Sequence, residues 1–215
     1  MVSLLRVHLL RMALVTECVF WISLFGLAYI YLGYPLLVRG LARLRPLQRD
    51  KQSTDQKVSI VIACHQDSVN AHRKLHTLLA SDQQRFVAEI FVGDDGAEGE
   101  TRRLLETLND PRVRVVEFAE RRGKPVVLNA LIPLCSSEII VLCDARQILS
   151  DETIPELTAC FADPRVGVVS GELSFRVRAG ETTAGRGIGA YWRYEKSIRK
   201  TEARFRSVPG ATGAL

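Results

Sequence analysis

No zinc-spaced Cys/His cluster and no CxxC pair occurs among the five cysteines, Cys18, Cys64, Cys135, Cys143 and Cys160. That weighs against a structural zinc and against a thioredoxin-like redox centre. Set mostly inside apolar runs, these cysteines are expected to be small buried hydrophobes, kept reduced in their compartment. No G-x-G-x-x-G follows the first strand-like run, which disfavours a Rossmann dinucleotide enzyme. Gly123-Lys124 lacks the upstream glycine of a P-loop, which disfavours an ATPase. Aromatics are scarce, 7% of residues, and no basic–aromatic stretch suits RNA, so nucleic acid is not an expected partner. Internal repeats and low-complexity tracts are missing too.

What is present begins with a run free of charge. Residues 18 to 38 read CVFWISLFGLAYIYLGYPLLV. At about 1.5 Å per residue such a run spans a hydrocarbon core of about 30 Å. Trp21, Tyr31 and Tyr34 are amphipathic aromatics suited to the interfaces, and Pro35 falls near the end, where a kink costs little. A signal peptide would have a shorter core and a small-residue cleavage site. This run ends instead in LLVRGLARLRPLQRDK, so a retained transmembrane helix is expected. Arg39, Arg43, Arg45, Arg49 and Lys51 follow the span, against Arg6 and Arg11 before it. The positive-inside rule then puts the remainder in the cytoplasm of a single-pass membrane protein. The expected divisions are an N-terminal segment (1–17), the span (18–38), a basic juxtamembrane linker (39–56) that also meets anionic lipid heads, and a soluble domain (57–215). A net charge of +5 suits an anionic ligand or surface.

From Val58 the pattern alternates. VSIVIAC, RFVAEIFVG, RVRVVEF and EIIVLC read as strands, and VGVVSGELSF as a fifth extended stretch, bent at Gly171. Between them AHRKLHTLLAS, ETRRLLETLND, KPVVLNALIPLC and DETIPELTACFAD read as helices, the last N-capped by Ser150. Near-continuous apolar strands separated by helices of about ten residues indicate an α/β fold, a parallel sheet covered on both faces.

In such a sheet, ligands bind beyond the carboxyl ends of the strands. The first strand is followed by His65-Gln66-Asp67, the second by Asp94-Asp95-Gly96, the third by Arg121, Arg122 and Lys124, the fourth by Asp144-Ala145-Arg146-Gln147. These four clusters should meet in one cleft. Several carboxylates together need a cation or a donor-rich ligand. A nucleoside offers N–H and hydroxyl groups to the acids, and a diphosphate offers oxygens to the bases. A divalent ion could sit between diphosphate and Asp144. A nucleoside-diphosphate ligand meets all these demands.

VSIVIACHQD, EIFVGDDG, RRGKPVVLNALIPLCSSEIIVLCDARQIL, VGVVSGEL and YWRYEKSIRKTEARFRSVPGATGAL resemble, in order, the blocks of the inverting family 2 glycosyltransferases, from about Val58 to the last residue. The resemblance implies a GT-A fold, a nucleotide-sugar donor, a UDP-sugar by family frequency, and a glycan or lipid-linked acceptor at the membrane. It implies that Asp67 and Asp95 contact the nucleoside, with Asp94 beside them. Lys124 would lie near the diphosphate. Asn129 would open toward the same pocket or cap its helix. Asp144 matches the first acid of the D-x-D motif and would hold Mg²⁺ or Mn²⁺. Gly210, Thr212 and Gly213 match the loop that lines donor sugar and acceptor. Arg146 stands where the second acid of the motif belongs, and a guanidinium cannot ligate a metal; it is a candidate phosphate contact instead. The family's general base lies in a later block, expected beyond Leu215, so the sequence reads as the front of a longer enzyme.

Plainer readings stand beside these. Arg121-Arg122 is either a solvated loop or a phosphate clamp. His65 needs no role beyond a backbone hydrogen bond. His72 and His76, four apart, lack a third ligand for a metal. The amphipathic segment 188–206 either packs on the domain or lies on the bilayer surface. Two other functions fit less of the sequence: a nucleotide-binding pseudoenzyme that regulates a membrane partner, motivated by Arg146, and a sugar-1-phosphate nucleotidyltransferase, whose Gly-rich opening loop is missing after Ala63.

Overall fold

The computed structural model describes residues 2–172, 183–208 and 210, with backbone alone for 2–10, 183–188 and 190. They form two compact units, one holding the residues up to Gln48 together with the helix nearest the C-terminus, the other built on the sheet from Arg49 onward.

In the first unit the apolar run is helical well beyond residues 18–38. Helix α1 (Val2–Ala28) passes through a π-helical turn (Tyr29–Gly33) into α2 (Tyr34–Leu44). The stretch Arg11–Leu44 is long and apolar enough to cross a membrane. The π-turn has a local cause. Pro35 has no N–H to give the Tyr31 carbonyl, and the Tyr34 N–H instead closes a wider ring on the Tyr29 carbonyl. The Tyr194 hydroxyl donates to the vacated Tyr31 oxygen at 2.6 Å. Tyr194 belongs to α7 (Thr183–Phe205), the expected amphipathic helix. α7 packs on α2, where the Tyr34 hydroxyl bonds Glu202 and Arg39 donates to Ser197 at 2.8 Å. The partner of α7 is therefore the apolar helix of its own unit.

The second unit is the α/β fold. Strands β1 (Val58–Cys64), β2 (Val87–Asp95), β3 (Val113–Phe118) and β4 (Ile139–Asp144) pair in the order β3-β2-β1-β4, all parallel. β1 lies between β2 and β4, and six of its seven residues are buried, as an unbroken apolar run requires. Alternate side chains enter two cores. Ile60, Ile62, Ile90, Val92 and Val141 meet α3 (Ser68–Leu79), α4 (Glu100–Glu106) and α6 (Thr153–Ala159) through Leu75, Leu78, Leu105 and Ile154. On the opposite face Val61, Phe91 and Phe118 meet α5 (Lys124–Leu131) through Val127 and Leu131.

Two expectations need correction. Val166–Glu172 joins no strand; Val168 is 69% exposed, and Leu173–Phe175 lie outside the described residues. Ser150 does not cap α6, which begins three residues later; its hydroxyl meets that of Thr153 at 2.8 Å, and Glu152 holds the cap position with no side-chain bond. Cys64 and Cys143 are buried, Cys135 and Cys160 half-buried, and Cys18 exposed on α1; all five are free thiols. Burial pushes the Cys64 thiol up to about 11, so it is inert at neutral pH.

Candidate functional site

The parallel register brings four strand ends to one edge of the sheet. Ala63 of β1 pairs with Gly93 on one side and with Asp144 on the other, and Asp95 pairs with Phe118. The polar residues that follow these strands are bonded to one another.

β2 ends in two buried acids, each 4% exposed. The Asp95 carboxylate accepts the backbone N–H groups of Arg122 at 2.6 Å and Gly123 at 2.8 Å, one on each oxygen. That bond pair anchors the loop leading from β3 to α5. Gly123 closes the loop at φ 86°, a conformation open to glycine. His65, after β1, donates through Nδ1 to the Asp95 carbonyl at 2.5 Å. Asp94 is held up from the ordinary carboxylate range, first by burial and further by Glu117 and Asp95, against a hydrogen bond from Thr101.

Helix α5 approaches β2 closely because residue 93 has no side chain. A Cβ at Gly93 would lie 2.3 Å from Val127 and 2.9 Å from Leu131. This seating places Lys124, the first residue of α5, against Asp144 at the end of β4, and their side chains form an ion pair with both groups about two-fifths exposed. Two residues on, Arg146 donates Nε to Asp67 at 2.8 Å. Asp67 occupies the N-cap position of α3 and also accepts from Asn70 at 2.5 Å. Burial pushes the Asp67 carboxyl up, but the Arg146 and Asn70 bonds prevail and hold it below the usual range. Arg146 is 79% exposed on its side chain, Asp67 only 15%.

Asp67, Asp95, Lys124, Asp144 and Arg146 thus belong to one bonded edge, with Asp94 buried beside Asp95 and bonded to Thr101. Asn129 is exposed in mid-helix on α5, so it is not a cap; it lies about 140° around the axis from Lys124. Gly210 is exposed, and Thr212 and Gly213 lie outside the described residues. Arg121 and Arg122 are both exposed, and the Arg122 guanidinium stacks 5.5 Å over the Phe118 ring. His72 donates or accepts at Thr107 over 3.2 Å. Among the described residues no three His, Cys, Asp or Glu side chains cluster as metal ligands. A cavity of about 490 Å³ lies elsewhere, between α4 and β3, lined by Arg102, Leu105, Asp110 and Arg114.

Sequence reasoning missed Lys74. It is 1% exposed on α3, and its ammonium donates to the carbonyls of Asp144 at 3.0 Å and Gln147 at 2.9 Å. A signal was there: Lys74 falls in the stripe of Ala71, Leu75 and Leu78, where helical periodicity calls for an apolar residue.

An N-acetylglucosaminyltransferase from Bradyrhizobium elkanii is 26% identical over 121 residues, 54% of this chain and 65% of the relative. A mannosyltransferase from Pyrobaculum calidifontis, solved in complex with GDP-Man and Mn²⁺, superposes with a TM-score of 0.67 at 24% identity, over 89% of this chain and 53% of its own. The S. aureus protein TarS (residues 1–349, with UDP-GlcNAc) superposes over 48% of this chain and 30% of its own, at 19% identity and a TM-score of 0.43. The chain thus spans about half to two-thirds of the first two relatives. The mannosyltransferase likeness extends the parallel sheet to a GT-A-type fold. The sequence model of the glycosyltransferase-like family 2 matches residues 55–215, and the chain belongs to that family.

Proposed function

We propose that this chain is the nucleotide-sugar-binding part of a membrane-anchored glycosyltransferase. The observation that carries the reading is the pairing of Lys124 with Asp144 and of Arg146 with Asp67 at the carboxyl edge of a parallel sheet. Both cations are held by half-exposed contacts that a diphosphate can replace with charge-assisted bonds of its own. Freed in that exchange, Asp67 can accept N–H or hydroxyl groups of the nucleoside, and Asp144 would be free to hold a divalent ion. Asp95 shapes the loop beside them, and Asp94 backs it from the buried side. The relatives named above support a nucleotide-sugar donor, and we assign a UDP-sugar to this chain.

In transfer, an acceptor hydroxyl attacks the anomeric carbon in line, and the nucleoside diphosphate departs. Lys124 and Arg146 neutralise the charge that grows on the leaving oxygen, in fixed positions that need little reorganisation. Asp144 would be the residue to hold a divalent ion, which would supply positive charge to the departing diphosphate. The acceptor is a glycan or lipid-linked sugar. Residues 18–38 cross the bilayer, the basic linker 39–56 meets anionic lipid heads, and the sheet unit faces the cytoplasm. By the family resemblance we assign Gly210, Thr212 and Gly213 to the donor sugar and acceptor.

The test is a calorimetric titration of the full chain in detergent with UDP, GDP and UDP-sugars. UDP and a UDP-sugar should bind, with GDP weaker. A folded chain that binds none of them at millimolar concentration rejects the reading.

A further inference from the structure

A buried ammonium is expensive unless its donors are met. Lys74 is buried at 1% exposure among the apolar residues of α3, yet the two oxygens it meets are backbone carbonyls, at the two ends of one turn. That turn, Asp144 to Gln147, carries the chemistry of the fourth strand end. Its own closure is weak: the Gln147 N–H reaches the Asp144 carbonyl at 3.3 Å, and the Asp144 N–H reaches the Gln147 side chain at 3.4 Å. Lys74 supplies the shorter bonds. The same helix holds the turn a second time, since Asp67 at its N-cap position receives Arg146. α3 is thus a splint along the turn, held at its start by an exchangeable side-chain ion pair and, two helical turns later, by a buried lysine that stays when the pair opens.

We propose that Lys74 is a positioning residue. By clamping both carbonyls, it sets the turn so that Asp144 and Arg146 present their side chains to a bound diphosphate. A methionine or leucine would fill the same apolar slot and satisfy neither carbonyl. This inference rests on the nucleotide reading of the edge for its purpose, while the clamp itself is a property of the chain alone.

Hydrogen–deuterium exchange on the full chain in detergent tests both parts. Lys74→Met keeps length and apolar bulk and removes the donors. It should speed exchange of the Arg146–Leu149 amides about tenfold, through local opening, and leave β1 and β2 as protected as in the wild type. UDP affinity should fall about tenfold, the loss expected for charged hydrogen bonds. Lys74→Gln retains a donor and should recover part of both effects; it also carries the test should the methionine variant fail to fold. Unchanged exchange in the turn overturns the proposal. So does faster exchange spread evenly over β1 and β2, which would make Lys74 an ordinary core residue. A wild-type chain that binds no UDP refutes the nucleotide reading instead, and the exchange result still decides the clamp.

Discussion

Two pairs of acids sit at the same edge of the sheet and are held in opposite ways. On the β2 side, Asp94 and Asp95 are buried, and Asp95 spends both oxygens on backbone N–H groups of its own chain. On the β1 and β4 side, Asp67 and Asp144 are bound by the movable ends of Arg146 and Lys124. A backbone partner cannot leave without unmaking the loop. A side-chain partner can turn to another anion at little cost, since exposed ion pairs are worth about 0–1 kcal/mol. The β2 acids therefore build the site, and the other two are available to a ligand.

The contrast breaks first at Asp95. Asp95→Ala would leave two N–H groups without their acceptor and should cost about 3 kcal/mol, from two charge-assisted bonds. Asp95→Asn, with one acceptor, should cost about half of that. Urea unfolding of the full chain reads both. A loss under about 0.5 kcal/mol for the alanine variant would put Asp95 in the same class as Asp144.

Asp144→Asn should behave in the reverse way. Its unfolding free energy should change by less than about 1 kcal/mol, while UDP affinity drops about tenfold or more. Large destabilisation with unchanged affinity of the folded fraction would erase the distinction.

Acid should separate the two sides by sign. Asp67 is held below its ordinary value, so the stability it lends is present above the unfolded carboxylate value and lost as pH falls through the lowered one. Asp94 is raised, so its contribution is present at low pH and lost as pH climbs through the raised value. Asp67→Asn should therefore destabilise at pH 7 and converge on the wild type once pH has fallen below the lowered Asp67 value. Asp94→Asn should raise the midpoint at pH 7, with the gain fading by about pH 4. Unfolding midpoints across that range check the smallest of these effects.

Much of this was legible in the sequence because the signals were local. VSIVIAC is the whole of β1, and a charged cluster after each apolar run marked the strand ends. What escaped depended on partners distant in sequence. Whether Asp95 would face a ligand or the N–H of Arg122 turns on a loop 27 residues away. The role of Lys74 was not legible, because its carbonyl partners lie 70 and 73 residues on. The helix bearing Tyr194 read either as packing on the domain or as lying on the bilayer surface. Its Tyr194 hydroxyl answers instead a carbonyl that Pro35 vacates 163 residues earlier, and composition does not encode that pairing.

On this reading the Lys124 ammonium passes from Asp144 to a diphosphate. That exchange is tested most directly by comparing UDP with uridine on the wild type and on Lys124→Met, by calorimetry of the full chain. The substitution should weaken UDP about tenfold or more and leave uridine affinity unchanged, because Lys124 meets the phosphates and not the nucleoside. Equal losses for both ligands, or none for UDP, would contradict it.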